Sequence, residues 1–449
     1  MDLLITGGTV VTCDPGDRVV CADVLVRDGR IAAIGQGASF TTIPGARAVD
    51  ARGCLVLPGF VQAHVHLCQA LFRGFAEDLP LLEWLSERIW PFEGAHTEET
   101  LAASARLGIA ELLLGGTTCA LDMGTVHHQD AIFEAAEDAG LRLTSGKAMM
   151  DKGQGRPQGL KETTDQSLQT ADDLAARWHG AADGRLRYAY APRFLLSCSD
   201  ALLKETARLA RSRRCLLHTH ASENPGELDA VRAATGQDNI VALHERGLTG
   251  PDVVLAHCVW LTSEEQKLLR TTSTKVAHCP STNLKLASGV AHVPELLEQG
   301  ITVALGADGA PCNNRMSQLS EMRLAALLQK PRCGATAMPA KGVVRLATIE
   351  GARVLGLERE LGSIEPGKRA DLTVIDVRRP HLAPFSDPFA MLVYGAEASD
   401  VRDVFVDGEW LVRDGELVRW DIAEVLAGAE RAIDEVLAKA GADKRKLKG

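Results

Sequence analysis

The sequence lacks several features that would assign it to a class at once. No apolar run approaches the roughly 18–20 residues of a membrane span, and Met1-Asp2-Leu3-Leu4-Ile5 lacks the basic stretch of a secretory signal. The 11 cysteines are scattered from Cys13 to Cys333 without paired spacing, which excludes a disulfide scaffold and indicates reduced thiols. No Pro-Cys-x-x-Cys pair occurs, so a cysteine-based zinc site is excluded too. These absences predict a cytoplasmic protein with no membrane contact.

Charge and composition exclude further classes. The chain carries 49 Lys+Arg against 59 Asp+Glu, a formal charge of −10, which argues against nonspecific binding to nucleic acid. Hydrophobic residues make up 46% and charged residues 24%, ordinary values that exclude disordered and fibrous proteins. A length of 449 residues suggests about three domains, but one α/β barrel can occupy more than half of such a chain.

Both ends of the chain are rich in short strands. Runs of Val, Ile and Thr alternate with Gly and Asp-Gly turns, among them Asp407-Gly408, which is typical of a β-hairpin. We expect residues 1–54 and 360–420 to form one small β-sandwich domain. Residues 421–449 are predicted to form a helical tail with a solvated basic end.

Residues 55–359 alternate short apolar strands with longer helical segments about eight times. This alternation predicts a (β/α)₈ barrel of the TIM type, an α/β fold. The predicted strands cover residues 55–66, 118–122, 143–149, 186–191, 215–220, 253–257, 275–278 and 302–306. The predicted helices include residues 97–114, 130–139, 201–212, 263–271 and 293–298. Active sites of such barrels lie at the carboxyl ends of the strands, so residues there are the candidates for chemistry.

Histidines and an aspartate lie at the ends of four of these strands. The first strand ends in His64-Val65-His66, the fifth in His218-Thr219-His220 and the sixth in His257-Cys258, and Asp308 lies just past the eighth. Because side chains alternate along a strand, His64 and His66 face the same side. Three neutral imidazoles and one carboxylate suit Zn²⁺ with an open position for water. A metal there would lower the pKa of that water to about 7 and supply hydroxide.

Longer motifs surround these residues. They are Pro58-Gly59-Phe60-Val61-Gln62-Ala63-His64-Val65-His66, His220 with Glu223, His257-Cys258, Asp308-Gly309 and Pro366-Gly367-Lys368-Arg369-Ala370-Asp371-Leu372. Together they resemble the amidohydrolase superfamily, and within it the nucleobase and triazine aminohydrolases, over nearly the whole chain. The resemblance implies a hydrolase that acts on C–N bonds of cyclic amidines in small heterocycles. It also implies one divalent metal ion, Zn²⁺ with Fe²⁺ as the alternative, and a homo-oligomer.

Three further runs narrow the resemblance. They cover residues 67–74, 283–289 and 306–314. They are most similar to enzymes described as 5'-deoxyadenosine deaminases, a group that has also carried the label N-ethylammeline chlorohydrolase. Arg315-Met316-Ser317 departs from that pattern, where a smaller turn with an acidic residue would be expected. The fine specificity is therefore open at this point.

The same resemblance implies roles for individual residues. The implied metal ligands are His64, His66, His220 and Asp308. Glu223 would carry a proton to the ring nitrogen, and Asp308 can take the proton of the water while it stays a ligand. His257 would orient the water or polarise the developing alkoxide. The alternative for Glu223 is a helix N-terminal cap.

Four residues are candidates for contact with substrate. Gln69 and Arg193 resemble positions that hold the purine in guanine deaminases, and Trp84 lies in a similar stretch. Cys312 follows Asp308, where related triazine deaminases place a substrate-facing side chain. The alternatives are a surface salt bridge for Arg193, core packing for Trp84 and a packed thiol for Cys312.

Four other histidines lie at or near the predicted strand ends. We expect His218 to be a buried hydrogen-bonded imidazole and His278 to support the site without binding metal. His127 and His128 follow the second predicted strand, where lining the pocket and simple exposure are equally compatible with the sequence.

Three functions remain open. The first is a metal-dependent deaminase of a 5'-modified adenosine, and the second is a guanine deaminase or triazine hydrolase. The third is a metal-binding barrel without turnover. Glu223 argues against the third, because a non-catalytic barrel has no need of a proton carrier beside its metal.

Overall fold

The computed structural model describes residues 2–35, 40, 45–153 and 155–444. The first five strands are β1 (Leu3–Val11), β2 (Val19–Arg27), β3 (Arg30–Gly35), β4 (Arg47–Asp50) and β5 (Cys54–Pro58). β1 and β2 pair antiparallel, as do β2 and β3. The Asp28-Gly29 turn between β2 and β3 has φ of 48° and 72°, which is why Asp-Gly suits this hairpin.

The next ten strands form one parallel sheet. They are β6 (Phe60–His66), β7 (Thr117–Met123), β8 (Arg142–Gly146), β9 (Ala148–Met149), β10 (Leu186–Pro192), β11 (Leu216–Ala221), β12 (Val253–His257), β13 (Lys275–His278), β14 (Val303–Leu305) and β15 (Asp308–Gly309). Their order is β14-β13-β12-β11-β10-β8-β7-β6-β15, with β9 beside β10. Because β15 follows β14 along the chain and pairs with β6, the sheet returns to its first strand. The predicted barrel is confirmed.

A glycine allows this closure. Gly306 stands between β14 and β15, and a Cβ atom there would lie 2.7 Å from the backbone nitrogen and oxygen of His64. That separation is too short for any side chain, so only glycine permits the backbones to approach so closely. The same approach brings Asp308 next to the end of β6, with Asp308 in register with Val65.

Helices follow the strands and cover the barrel. They are α1 (Leu81–Trp84), α2 (Trp90–Glu93), α3 (Glu98–Leu114), α4 (Asp130–Ala139), α5 (Thr164–Trp178), α6 (Asp200–Arg213), α7 (Pro225–Thr235), α8 (Asn239–Glu245), α9 (Ser263–Thr272), α10 (Pro280–Lys285), α11 (Val293–Glu298), α12 (Ala310–Asn313), α13 (Gln318–Leu328), α14 (Lys330–Cys333), α15 (Ala340–Leu346), α16 (Ile349–Val354), α17 (Pro388–Ala390) and α18 (Ile422–Lys439). 3₁₀ turns lie at Leu67–Phe72, Gln158–Leu160, Leu195–Ser197, Pro380–Leu382 and Ala398–Asp400, and π turns at Leu85–Ile89 and Met391–Gly395. Capping side chains mark where several helices begin. At the start of α9, for example, Thr262 and Glu265 form a capping box.

Strands from the end of the chain complete the small sheet. They are β16 (Leu372–Asp376), β17 (Val401–Val406), β18 (Glu409–Arg413) and β19 (Glu416–Leu417). The order is β19-β18-β17-β16-β5-β1-β2-β3, with β4 beside β1. Antiparallel pairing of β16 with β5 joins the two ends of the chain, as expected of the small β domain. Arg142 of β8 donates to Asp371, just before β16, at 2.8 Å, and this buried pair ties the sheet to the barrel.

One predicted strand is wrong. Residues 55–66 form two strands in different sheets, β5 in the small sheet and β6 in the barrel. The break is at Gly59, where a Cβ atom would lie 2.1 Å from Thr118 Oγ1, so the chain passes too close to β7 for a side chain. The change of sheet therefore occurs after Pro58 and not after Cys54.

The predicted C-terminal tail contains helix α18. α18 packs Ile433, Val436 and Leu437 into an apolar cluster that also holds Leu71 and Phe72 near the barrel mouth. The final residues of the predicted tail, 445–449, lie outside the described residues, as do 1, 36–39 and 41–44 of the first segment. Within the described ranges, no helix is both long enough and apolar enough to cross a bilayer.

Candidate metal-binding active site

The four predicted metal ligands lie close together at the carboxyl ends of the barrel strands. His64 Nε2 lies 3.2 Å and His66 Nε2 3.4 Å from Asp308 Oδ1. His66 Nε2 also lies 3.2 Å from His220 Nε2. β6, β11 and β15 place these side chains, so residues far apart in sequence share one point in space.

The donor atoms fit a metal ion. Two overlapping groups, His64-His66-His220 and His64-His257-Asp308, each have their potential ligand atoms within 4.8 Å of one another. His64 Nε2 is buried and makes no hydrogen bond to any described residue, because its contact with Asp308 lacks hydrogen-bond geometry. A buried nitrogen rarely lacks a partner, and a cation among imidazole nitrogens and a carboxylate oxygen would supply one.

Hydrogen bonds on the far side of two rings set their tautomers. His66 Nδ1 donates to the carbonyl of Met123 at 2.7 Å, and His220 Nδ1 donates to the carbonyl of Arg193 at 2.7 Å. Carbonyl oxygens only accept, so both Nδ1 atoms carry the proton and both Nε2 lone pairs face the centre. This is the tautomer that a metal ligand requires.

Two further histidines, His218 and His278, are buried near the site. His218 Nε2 lies 2.9 Å from His64 Nδ1, so it can accept the His64 proton and leave His64 Nε2 unprotonated. The structure thus gives His218 the expected hydrogen bond. His278 is buried, and neither of its ring nitrogens has a hydrogen-bond partner among the described residues.

Burial and charge hold these groups in the forms that bind metal. Burial lowers the pKa of His66 to about 3, and it lowers the pKa of His64 and His220 as well. Burial opposes ionisation of Asp308, but the imidazoles around it, His64 first, outweigh that effect and hold its pKa well below its ordinary value. Neutral imidazoles and an ionised carboxylate are the states that coordinate a cation.

The backbone is strained where it delivers these side chains. φ is 61° at Asp308, 74° at His257 and 52° at Ser222, all in the left-handed region that non-glycine residues rarely adopt. Such strain persists only when the surrounding packing enforces it, and it clusters at functional sites. Here it turns His257 and Asp308 toward the same point.

Glu223 and His257 lie on one side of this cluster. His257 Nε2 is 3.5 Å from Glu223 Oε2 and 3.8 Å from Asp308 Oδ2, and its Nδ1 lies 2.9 Å from Asn283 Oδ1. Burial raises the pKa of Glu223 to about 7, although His257 partly offsets it. Burial alone would lower the pKa of His257, but the carboxylates of Glu223 and Asp308 outweigh it and raise the pKa.

Glu223 does not cap the helix that follows it. Asn224 occupies the cap, since its Oδ1 accepts the backbone N–H of Gly226 at the start of α7. The alternative interpretation of Glu223 as a cap is therefore wrong. The backbone N–H of Glu223 instead donates to Glu227 at 2.8 Å, which holds the turn in place.

A cavity opens beside these groups. It encloses about 450 Å³, counting space open to solvent. Its wall combines the site residues with apolar side chains. Its lining residues are His66, Gln69, Leu81, Trp84, Leu85, Arg193, Phe194, His220, Glu223, Glu227, His257, Leu286 and Asp308. Three of the four predicted substrate contacts, Gln69, Trp84 and Arg193, are therefore in the wall.

A buried acidic residue that the sequence did not single out holds two of them. Arg193 donates to Glu93 at 2.5 Å and 3.1 Å, and Gln69 Nε2 donates to Glu93 Oε1 at 2.8 Å. Arg193 and Glu93 are buried, so the surface salt bridge considered for Arg193 is wrong. The signal in the sequence was a glutamate directly after Trp90-Pro91-Phe92, an apolar run that predicts burial. The sequence also did not single out Glu227, which lines the same cavity.

The remaining candidates lie outside the wall. Cys312 is buried and its Sγ lies 3.1 Å from the carbonyl of Gly309, in agreement with the packed-thiol alternative. Neither Cys312, His127 nor His128 is among the lining residues of the described cavity. His127 and His128 are both exposed.

Fold and site together define a class, that of barrel hydrolases whose centre is built from histidines and an aspartate at the strand ends. The model of the amidohydrolase family, whose members depend on a metal, matches residues 55–411. The chain belongs to the amidohydrolase family.

Named relatives cover almost the whole chain. A 5'-deoxyadenosine deaminase of Methanothermobacter thermautotrophicus is 40% identical over 97% of this chain and 98% of its own length. A 5-methylthioadenosine/S-adenosylhomocysteine deaminase of Syntrophobacter fumaroxidans is 39% identical over 95% of this chain and 96% of its own length. The crystal structure of an adenosine deaminase from Xanthomonas campestris with bound zinc has a TM-score of 0.92 and 32% identity, covering 97% of this chain and 99% of that one.

Proposed function

We propose that this protein is a metal-dependent deaminase of a 5'-modified adenosine, with 5'-deoxyadenosine as the foremost substrate. Water replaces the exocyclic amino group, so ammonia and an inosine-type product are released. The observation that carries the proposal is the placement of Glu223 and His257 beside the histidine and aspartate cluster, within one cavity. The names of the relatives support the substrate class.

The cluster is proposed to hold one Zn²⁺, with Fe²⁺ as the alternative. The proposed ligands are His64, His66, His220 and Asp308. Their support is the shared orientation of the Nε2 atoms and the buried His64 Nε2, which has no hydrogen-bond partner in the described part of the chain. When bound, the cation supplies the Lewis acidity that lowers the pKa of a water to about 7.

The protein's own residues are proposed to move the protons. Asp308 accepts the proton that the attacking water loses. Glu223, with its pKa near 7, changes protonation state readily at neutral pH, so its carboxyl can protonate a ring nitrogen and later the leaving amine. Asn283 Oδ1 accepts the Nδ1–H of His257, so Nε2 also carries a proton only in the imidazolium, the form that the neighbouring carboxylates favour. This Nε2–H is proposed to donate to the developing alkoxide.

Contacts with the heterocycle are proposed for three wall residues. Trp84 offers an aromatic face, and its Nε1 has no hydrogen-bond partner within the described structure. Gln69 and Arg193 offer donors that Glu93 orients. We leave Cys312 out of this set because its thiol donates a hydrogen bond to the carbonyl of Gly309 and does not line the cavity.

A substrate panel tests the proposal. Ammonia release is measured from adenosine, 5'-deoxyadenosine, S-adenosylhomocysteine, guanine and melamine, on protein whose metal content has been assayed. Fastest release from 5'-deoxyadenosine or another 5'-modified adenosine supports the proposal. Faster release from guanine or melamine would favour the guanine or triazine alternative, and no release by the metal-loaded protein would favour a barrel without turnover.

A homo-oligomer is proposed from the family resemblance alone. Light scattering coupled to size-exclusion chromatography measures the mass of the particle. A particle with the mass of the 48.0 kDa chain would contradict this part of the proposal.

A further inference from the structure

A second cavity lies at the amino-terminal end of the barrel, away from the candidate active site. Arg187 is the second residue of β10 and Lys275 the first residue of β13, and both line it. The cavity encloses about 880 Å³, counting space open to solvent. The proposed ligands lie at the carboxyl ends of the strands, so this cavity is separate from them.

The lining of this cavity is cationic, although the whole chain carries a formal charge of −10. Its cationic members are Arg187, Arg211, Arg214 and Lys275, and the neutral ring of His179 lies beside them. Its one carboxylate, Asp252, already accepts a hydrogen bond from Arg211 at 3.1 Å. Glu358 attracts Lys275 from outside the lining. The balance of charge within the cavity is therefore positive.

Two of the guanidinium groups have no protein partner among the described residues. Arg187 is half-buried on a barrel strand and Arg214 is exposed on the loop before β11, and within the described structure neither side chain has a hydrogen bond or an ion pair. Both side chains are in contact with solvent, so their guanidinium N–H groups are available to an anion that enters the cavity.

Neighbouring groups offer further donors. Lys275 Nζ gives one hydrogen bond to the carbonyl of Val354 at 3.0 Å and has two more N–H groups. His179 Nδ1 accepts the backbone N–H of Tyr188, which leaves the proton of the neutral ring on Nε2. The cavity thus combines two planar guanidinium forks, an ammonium and an imidazole N–H, the groups that match tetrahedral oxyanions.

We propose that this cavity binds a phosphate-class oxyanion, either inorganic phosphate or the phosphate group of a small metabolite, through Arg187, Arg214 and Lys275. The site is independent of the proposed deaminase activity. Binding would stabilise the folded chain, because a ligand held only by the native state shifts the unfolding equilibrium.

Isothermal titration tests the proposal with three probes: inorganic phosphate, pyrophosphate and ribose 5-phosphate, at one ionic strength maintained with chloride. The metal-loaded protein is compared with Arg187→Gln and with Arg214→Gln. The second variant changes an exposed loop residue, so it remains folded if the first does not. The matched control is Arg270→Gln, since Arg270 is exposed at the end of α9 and its side chain has no described partner.

We expect at least one probe to bind with one site per chain, with affinity at least tenfold weaker in Arg187→Gln and Arg214→Gln and unchanged in Arg270→Gln. Inorganic phosphate binding alone would identify the free ion as the ligand, and tighter binding of ribose 5-phosphate would identify a phosphorylated metabolite. Binding that is unchanged in both variants would place the anion elsewhere and overturn the proposal. Absence of binding by any probe would overturn it as well.

Discussion

Replacing Glu93 by glutamine tests the polar wall of the active-site cavity. Within the described structure, Glu93 is the carboxylate that pairs with the Arg193 guanidinium, at 2.5 Å and 3.1 Å. Exposure is 3% for the Arg193 side chain and 0% for that of Glu93. The substitution keeps the shape of the side chain but removes its charge, so it leaves a buried cation without a counter-charge.

The expected destabilisation is about 3 kcal/mol. Removing one partner of a buried ion pair typically costs about 3–5 kcal/mol, because the other charge stays desolvated. The glutamine oxygen still accepts one hydrogen bond from Arg193, so we expect the lower end of that range. Gln69 also loses a charged acceptor at 2.8 Å, which adds to the loss of order in the wall.

A double-mutant cycle separates stability from substrate binding. Urea unfolding is followed for Glu93→Gln, for Arg193→Met and for the double variant, all loaded with metal. We expect the double variant to be less destabilised than the sum of the singles by about 2 kcal/mol or more, since no unpaired charge remains. The KM for substrate should be higher in the double variant than in the parent, because methionine cannot donate a hydrogen bond. Glu205→Gln, in an exposed pair with Arg208, is the control and should change stability little.

Two results would refute this reasoning. Unfolding of Glu93→Gln at the same urea concentration as the parent would show that the pair does not stabilise the wall. A double variant with the KM of the parent would show that Arg193 does not contact substrate. Arg193→Ala should in turn raise KM more than it lowers kcat, and an effect on kcat alone would mean that its contact forms in the transition state.

Four further predictions concern the chemistry and its pH dependence. The Glu223→Gln variant should bind as much metal as the parent, measured by atomic absorption, but its kcat should fall about 10²–10⁴-fold. The control, Glu245→Gln, changes an exposed residue and should keep full turnover. A Glu223→Gln variant with the turnover of the parent would contradict the proton-carrier role. Dialysis against a chelator should abolish ammonia release, Zn²⁺ should restore it, and release by metal-free protein would count against the proposed centre. Asn283→Ala should lower kcat more than it raises KM, because His257 loses the group that orients it; an unchanged kcat would exclude that role. Burial raises the pKa of Glu321 from 4.5 to about 7, so the protonated carboxyl stabilises the fold fully below about pH 4.5 and loses that effect as pH rises to about 7. Relative to Glu321→Gln, the parent should lose about 3 kcal/mol of unfolding free energy between these pH values, and a flat difference would contradict the raised pKa.

Elements with strong local signals were predictable from the sequence. α4, α11, β12 and β13 have the predicted bounds, because apolar periodicity acts within a few residues. Strand ends in a parallel barrel meet at one rim, so the sequence also indicated that the segments around His64, His220 and Asp308 would converge. The break at Gly59 was not predictable, because its cause is Thr118 on a neighbouring strand.

The chain's own residue pattern was enough to identify the barrel, the strand-end histidines and the resemblance to the amidohydrolase family. Only the tertiary structure shows which residues form hydrogen bonds with the site residues. Glu93 pairs with Arg193, His218 with His64, and Asn283 with His257. These pairs are 100, 154 and 26 residues apart, and no periodicity links their members. Burial likewise depends on the packed fold, so the raised pKa of Glu223 and the cationic cavity at the opposite end of the barrel become visible only there.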